Sequence, residues 1–412
     1  MLNRLIQASL ANRPLVLGLS LLLLALGVDA ALRLPVEVLP DLTKPTVTIL
    51  TESPGLAPEE VEAQVTQPIE QALMGVTGLT RLRSNSDVAL SLLYAEFDWD
   101  TDIHRARVLV QERLQAARER LPEGTQPYLT PVASLMGEIL LVGVRSTVPA
   151  GTAGHLEPAD LRTLADWTLR PRLQAIPGVA EVLAMGGGVR RLEVRPDPYR
   201  LQAYDVSLDE LETAVAAAAG TTTGGHLTSG PAEVMVRNLA MTTDPAAIGR
   251  TVVKVTEGRP VTVADVADVG WGLEPMRGDA TISRPPEKEP TYGVILSVTK
   301  APGFDTRDLT ARINAALADL QPGLPAGVET LVLFQQKDFI DVAIGNLREA
   351  IRDGAIMVVV VLFLFLLKVR TTFITLTAMP MSFALTLLIF RQLDVSVNAM
   401  TLGGLAVAIG MV

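Results

Sequence analysis

The closing stretch, Gly354 to Val412, constrains this chain most. It is almost continuously apolar: Gly354–Leu367 and Phe373–Phe390 are two runs, and a third starts at Val395 and continues to Val412. In hydrocarbon every backbone polar group must pair within its own segment, so such runs point to membrane-spanning helices. A matching run stands at the other end, where Arg13-Pro14 opens Leu15–Val28. Two readings are open there. A secretory signal has a basic start, an apolar middle and a small-residue exit, and Val28-Asp29-Ala30 supplies such an exit. A retained helix would continue through Ala30, Ala31, Leu32 and Leu34 and reach the roughly twenty residues a bilayer requires. The spans at the far end favour the retained helix. Before it, Leu2, Leu5, Ile6 and Leu10 recur at helical spacing with Arg4 opposite, the pattern of a short helix on a membrane surface.

Composition excludes several functions. The 412 residues suggest two to four domains. The absence of cysteine rules out a disulfide framework, a zinc-thiolate site and a cysteine nucleophile. A net charge of −10 argues against nucleic acid, which needs a basic face. No Walker-type phosphate loop is present, so ATP is not expected to drive this segment.

From Leu39-Pro40-Asp41 to about Asn346 no run is long enough to span, and strands alternate with helices. Thr46–Leu50 reads as a strand. Pro58–Met74 reads as a helix with Val61, Val65, Ile69 and Leu73 in one stripe and Glu59, Glu60 and Glu62 at its positive end. Leu79–Ser84 and Ala89–Phe97 follow as strands, then an amphipathic helix over Asp102–Leu121 and a strand over Gln126–Val132. This is the β-α-β-β-α-β order of a ferredoxin-like layer. A second unit opens with strand Glu138–Val144, helix Leu156–Ile176 (Trp167 and Leu173 on its apolar side) and strand Val179–Met185. Gly186-Gly187-Gly188 interrupts it as a hinge. An insert follows to about Met276, with Leu192–Arg195, a helix Leu208–Ala219, a loop Thr221–Gly230 and short strands near Val234 and Val252. The missing half returns as strand Gly293–Thr299, helix Thr306–Leu320 and strand Val328–Phe334. Glu138–Val144 and Gly293–Thr299 should therefore pair in one sheet. Tandem repeats of this kind are common in transporters.

Phe339–Arg352 reads as an amphipathic helix entering the second span, and Lys368–Thr372 as the turn after it. Arg4, Arg13, Lys368 and Arg370 mark one side of the membrane as cytoplasmic, which puts the large polar region outside and returns the third span near Arg391.

Local chemistry is sparse. His104, His155 and His226 lie far apart and show no metal-ligand spacing. Glu59, Glu60 and Glu62 suit a solvated helix face, and Gly186–Gly188 lacks the Lys-Ser/Thr of a phosphate loop. Thioethers are soft ligands suited to Cu(I) or Ag(I), and Met379, Met381, Met400 and Met411 lie in or beside the apolar spans. Met400 and Met411 are three turns apart on one helix face. Methionine is also a common packing residue, and that reading competes at each position. Gly403, Gly404 and Gly410 suit a closely packed helix. No ionisable residue lies between Val395 and Val412, and none is expected elsewhere in the spans, although a proton-driven pump needs one.

Three motifs carry a family resemblance: Leu34-Pro35-Val36-Glu37-Val38-Leu39-Pro40-Asp41-Leu42; Ser53-Pro54-Gly55-Leu56-Ala57-Pro58-Glu59-Glu60-Val61-Glu62 with Gln67-Pro68-Ile69-Glu70; and Leu402-Gly403-Gly404-Leu405-Ala406-Val407-Ala408-Ile409-Gly410-Met411-Val412. With them, the chain resembles the N-terminal part of a resistance-nodulation-division efflux permease. Asp160–Trp167, Ile176-Pro177-Gly178-Val179-Ala180 and Met185-Gly186-Gly187 look most like the heavy-metal branch. The resemblance implies an α+β integral membrane protein: a transmembrane helix bundle with two tandem ferredoxin-like periplasmic subdomains, the second split by a docking insert. The divisions expected are 1–35 for the interfacial helix and first span; 36–134 for the first porter subdomain; 135–188 with 277–335 for the second; 189–276 for the insert; and 336–412 for spans two, three and an incomplete four. It further implies a homotrimer in the inner membrane that exchanges protons for heavy-metal cations, or for amphiphilic drugs in the other branch. A periplasmic adaptor and an outer-membrane channel would be its partners, with no bound cofactor. Gly224, Gly225 and His226 would lie in the loop that reaches a neighbouring subunit. Met400 and Met411 would lie on the substrate path, and the proton-relay aspartate just beyond Val412. A membrane-anchored periplasmic sensor is the remaining alternative; the basic turn and further spans after the second span argue against it.

Overall fold

A computed structural model describes residues 7, 9–34, 44–133, 137–220, 223–229, 232–237, 242–256, 258–276, 278–284, 286, 289–367, 369–393, 395–398, 400–404 and 407. Helix α1 (Arg13–Arg33) begins with Pro14 in its first turn, where a missing N–H is no loss. Among the described residues it is the one helix long and apolar enough to cross a membrane; Leu376–Gln392 is a shorter apolar helix.

Strands β1 (Thr46–Glu52), β2 (Leu79–Asp87), β3 (Leu90–Phe97) and β4 (Gln126–Leu129) form an antiparallel sheet in the order β2-β3-β1-β4. β4 stops at Leu129, short of the Val132 expected from sequence. Alternate residues of β1 and β3 are buried, so one face of the sheet carries the core. That face is covered by α2 (Pro58–Val61), a π-helical turn (Glu62–Thr66), α3 (Gln67–Leu73) and α4 (Ile103–Ala117). Asp102 caps α4 by accepting the Arg105 N–H at 2.8 Å.

The π turn has a packing cause. Val61, Val65, Ile69 and Leu73 are all fully buried. On a straight α-helix each four-residue step drifts about 40°, so three steps would carry Leu73 off the core. A π turn holds one extra residue and absorbs the drift. It also turns the Thr66 hydroxyl inward, where it lies 2.8 Å from Ser86 Oγ and 2.7 Å from Ser91 Oγ.

The second sheet repeats this design. β5 (Glu138–Ser146), β13 (Ala280–Ile282), β14 (Thr291–Lys300) and β15 (Val328–Gln335) are ordered β13-β14-β5-β15, and β6 (Val179–Met185) pairs with β14 along the flank that β13 also occupies. Val294 faces Val144 and Leu296 faces Val142, so the strand after the insert pairs with the strand before it, as the sequence requires. Its covering helices are α5 (Pro158–Leu164), a π turn (Ala165–Leu169), α6 (Arg170–Gln174) and α11 (Thr306–Leu320). Leu161, Ala165, Leu169 and Leu173 line the core at the same spacing as Val61, Val65, Ile69 and Leu73, and Pro58 and Gly78 return as Pro158 and Gly178. Trp167 corrects the sequence reading: it is 81 % exposed, because the π turn rotates it away from the Leu161–Leu173 line. The helix also starts at Pro158 rather than Leu156.

Between β6 and β13 lies a unit with its own core of Val206, Leu211, Val261, Val263, Val266 and Ala267. Its strands β7 (Arg190–Pro196) and β12 (Ala267–Leu273) pair antiparallel. It also holds α7 (Pro198–Ala203), α8 (Leu208–Ala219), α9 (Pro245–Gly249), α10 (Val263–Val266) and a ribbon of β10 (Val252–Thr256) with β11 (Arg259–Thr262). The segment expected as a loop over Thr221–Gly230 is instead strand β8 (Thr223–Ser229), hairpin-paired with β9 (Ala232–Arg237); Thr221, Thr222 and Gly230 lie outside the described residues.

The chain then leaves β15 directly into α12 (Gln336–Leu366), one helix of 31 residues where the sequence suggested an amphipathic helix followed by a span. Leu367 closes it in the left-handed conformation at φ 47°, and α13 (Val369–Gln392) takes in residues 369–372 of the turn expected over Lys368–Thr372, while Lys368 itself lies outside the described residues. α13 packs on α1. Ala30, Leu34 and Leu387 are buried together, and a Cβ added at Gly27 would strike Ala384. Asn398 Oδ1 accepts the Thr401 N–H at 2.9 Å and caps the last described helical turns.

Candidate functional site

The two strand ends that lead into and out of the insert meet at a cavity of about 230 Å³. Met185, Gly186 and Gly188 come from the exit of β6, and Glu274, Pro275, Met276 and Gly278 from the return. All three glycines of Gly186–Gly188 have positive φ (82°, 80° and 63°), a conformation that costs other residues energy. They are wedged as well as bent. A Cβ would lie 2.5 Å from Ala280 Cβ at Gly186, 2.6 Å from the Pro158 carbonyl at Gly187 and 3.0 Å from Met276 Sδ at Gly188. Arg162 Nη1 donates to the Gly186 carbonyl at 3.0 Å, and the Gly187 N–H donates to Asp279 Oδ1 at 3.0 Å. The segment expected as a hinge is therefore a keyed joint.

The cavity is lined by two residues with soft thioether donors, Met185 and Met276, and by Glu274, whose carboxylate is a hard donor that supplies negative charge. The one guanidinium present, Arg162, is answered by Asp166 Oδ2 at 2.7 Å. Met185 and Met276 are both nearly half exposed, so the cavity is open to solute. No cluster of three or more His, Cys, Asp or Glu side chains occurs among the described residues.

A second polar group lies where the first sheet approaches β6. Burial pushes the Tyr128 phenol up from its ordinary value, and the Glu52 and Glu181 carboxylates push it the same way. Tyr128 belongs to β4 and Glu181 to β6, so the two sheets bring these acids to one phenol. Glu181 faces Thr299 across the ladder, and Thr299 faces Glu138, which accepts the Ser297 hydroxyl at 3.0 Å.

Residues 5–412 match the family described as AcrB/AcrD/AcrF. The chain belongs to that family, the resistance-nodulation-division permeases. It is 34 % identical over 411 residues to "Cation efflux system protein CusA" of Escherichia coli strain K12, and 33 % over 405 residues to "Protein HelA" of Legionella pneumophila. It is 32 % identical over 409 residues to "Cobalt-zinc-cadmium resistance protein CzcA" of Cupriavidus metallidurans. These alignments cover 98–100 % of this chain and 38 % of each relative, so the chain spans a little over a third of their length. A solved structure described as a heavy metal efflux pump superposes with a TM-score of 0.82 at 26 % identity, covering 97 % of this chain and 39 % of that one. The permease fold is thus shared along the whole chain.

Within this permease-family fold, the residues singled out from sequence lie apart. Met400 is 62 % exposed at the start of the last described helix, and Met411 lies outside the described residues. Gly224, Gly225 and His226 belong to the β8–β9 hairpin, with His226 opposite Met235. Sequence reasoning missed Met185 and Met276 because it weighed only the methionines near apolar runs. Their signal was positional, since one stands at each end of the insert. It also missed Asp29. This carboxylate sits inside α1, one turn from its end, and pairs with Arg33 Nε at 2.8 Å and Arg391 Nη1 at 2.9 Å. An ionisable residue therefore does occur within an apolar helix, contrary to the sequence expectation, and it is neutralised by its neighbours.

Proposed function

We propose that this chain is the N-terminal part of the permease subunit of an efflux pump that exports heavy-metal cations in exchange for protons. The cavity lined by Met185, Met276 and Glu274 carries the metal reading, because thioethers are soft donors that favour soft cations. The names of the relatives, a cation efflux system protein and a cobalt-zinc-cadmium resistance protein among them, support the same substrate class.

In this reading 36–134, and 135–188 with 277–335, are two ferredoxin-like porter subdomains; the matching strand orders β2-β3-β1-β4 and β6-β14-β5-β15 support it. Residues 189–276 form the docking insert, and the β8–β9 hairpin with Gly224, Gly225 and His226 reaches a neighbouring subunit of a homotrimer. The chain is multi-pass in the inner membrane, with residues 1–35 leading through α1 and 336–412 through α12, α13 and a fourth helix. Its β-rich body is periplasmic, and an adaptor protein and an outer-membrane channel complete the path. Met400 and Met411 lie along the substrate route within the membrane. Proton movement would reach the porter subdomains through α12, which joins β15 to the apolar part of the chain without a break.

The test is transport by the complete permease containing this chain, in everted membrane vesicles supplied from outside in turn with Ag⁺, Cd²⁺ and an amphiphilic dye. Cation uptake that collapses with the proton gradient, and that falls in Met185→Leu and Met276→Leu, is the expected outcome. Dye transport without transport of any cation refutes the metal reading.

A further inference from the structure

β15 and α12 share a boundary with nothing between them: the strand ends at Gln335 and the helix opens at Gln336. Four contacts hold that boundary. Arg307, in the first turn of α11, places Nε 2.8 Å from Asp341 Oδ1. Asn314 Nδ2 donates to Gln335 Oε1 at 3.3 Å, and Gln335 Nε2 donates to Asp338 Oδ1 at 2.6 Å. The Phe334 and Phe339 rings stand 5.7 Å apart across the junction. Ile340 is 1 % exposed and Gln336 is 9 % exposed, so one side of the opening turns of α12 is covered. Farther along, Met357, Leu364 and Phe365 are widely exposed, as befits a surface that lipid covers.

One helix therefore has a docked root and a free apolar arm. At 1.5 Å per residue it is about 46 Å long, and a tilt of about 10° at the root moves the far end by roughly 8 Å. Such a lever transmits force only if its root does not bend. A pliable root would place a glycine at the strand–helix boundary, but Gly345 is the first glycine of the helix and lies beyond Asp341.

We propose that Arg307 and Asn314 are positioning residues that clamp the root of α12 to α11, so that the second sheet and the membrane-directed helix move as one body. The consequence for transport rests on the export reading above; the clamp itself does not. Each contact is partly exposed, and an exposed ion pair is worth at most about a fivefold change in an equilibrium, so the clamp acts through the contacts together.

The test has two arms. In the chain held in lipid nanodiscs, hydrogen exchange of the 336–342 amides should speed up by about two- to fivefold in Arg307→Ala and by more in Arg307→Ala/Asn314→Ala. Amides of 355–366 should not change, and the reversed pair Arg307→Asp/Asp341→Arg should restore protection. Unchanged exchange at 336–342 in the double variant, or a loss spread evenly over the β-rich body, overturns the clamp. In the complete permease, the double variant should lower the maximal rate of Ag⁺ transport with the half-saturating concentration unchanged, and the reversed pair should recover it. A shift in half-saturation with an unchanged maximal rate also overturns it. A wild-type permease that moves no cation removes the export reading and leaves the exchange arm standing.

Discussion

Gly186→Ala separates a wedge from a hinge. The substitution forces alanine into φ 82°, which costs roughly 1–2 kcal/mol. Its methyl group would also meet Ala280 Cβ at 2.5 Å and the Ala280 nitrogen at 2.8 Å, both fixed by the β13–β14 ladder. Overpacking of that kind adds about 1–3 kcal/mol. Reduced freedom of the unfolded chain returns about 0.4–1 kcal/mol. The net expectation is a loss of about 1–5 kcal/mol, with the middle of the range at about 3. Gly124 is the matched control: its φ is 83°, yet a Cβ there meets nothing within 4 Å. Gly124→Ala should therefore cost only about 1 kcal/mol. The assay is urea unfolding of the purified chain followed by tryptophan fluorescence, for which Trp271 on β12 reports the insert side of the joint. Equal losses in the two variants would mean that the joint yields to the new methyl group. The wedge described here would then be wrong, and the hinge expected from sequence would return.

Four further outcomes are expected. Leu173→Ala and its counterpart Leu73→Ala, both fully buried, should each cost about 2–5 kcal/mol in the same unfolding assay. Thr66→Val should cost about 1–3 kcal/mol by stranding Ser86 and Ser91, and adding Ser86→Ala and Ser91→Ala should recover most of it. Asp29→Lys should loosen the packing of α13 on α1, and Asp29→Lys/Arg391→Glu should restore it, read as hydrogen exchange of the 384–391 amides. The insert should lose helix-end protection on acidification. The Asp265 carboxyl is held below its ordinary value by the Thr262 N–H and hydroxyl, and Glu210 likewise by Ser207. A depressed folded-state pKa stabilises above the unfolded value, near pH 4, and that stability is lost as pH falls through the folded value. Hydrogen exchange of 207–211 and 262–266 below pH 4 is the readout.

Most of the fold was legible because two periodicities carry it. The four-residue recurrence of Val61, Val65, Ile69 and Leu73 and the alternation along β3 each have a direct counterpart in burial. The pairing of Glu138–Val144 with Gly293–Thr299 was legible because half a layer cannot bury its own face. Trp167 was not. A helical wheel assumes 3.6 residues per turn, and the π turn breaks that assumption at the tryptophan. The β8 strand was hidden by Gly224 and Gly225, which read as loop in isolation and gain strand geometry only from β9. The candidate site was less legible than the fold. Met185 and Met276 are separated by the whole insert in sequence and share a cavity only after β13 has returned to the flank of β14 beside β6. Asp29 stood out in sequence only within the disfavoured reading of a cleavable exit, because its partner, Arg391, lies far along the chain.

The same recurrence explains where this chain differs between its halves. Position 66 carries threonine and position 166 carries aspartate, each at the inner edge of a π turn. In the first half the threonine closes a network of neutral hydroxyls, and the core there is self-contained. In the second half Asp166 holds Arg162, and Arg162 holds the Gly186 carbonyl. A position spent on internal packing in one repeat thus becomes, in the other, the anchor of the strand that leaves for the insert. The insert is consequently fixed to the second sheet through Arg162 and Asp279 rather than swinging on three glycines. α12 is rooted in that same sheet through Arg307 and Asn314. The second sheet is therefore a body to which both α12 and the insert are attached, and a movement begun in the apolar part of α12 would reach the insert through it.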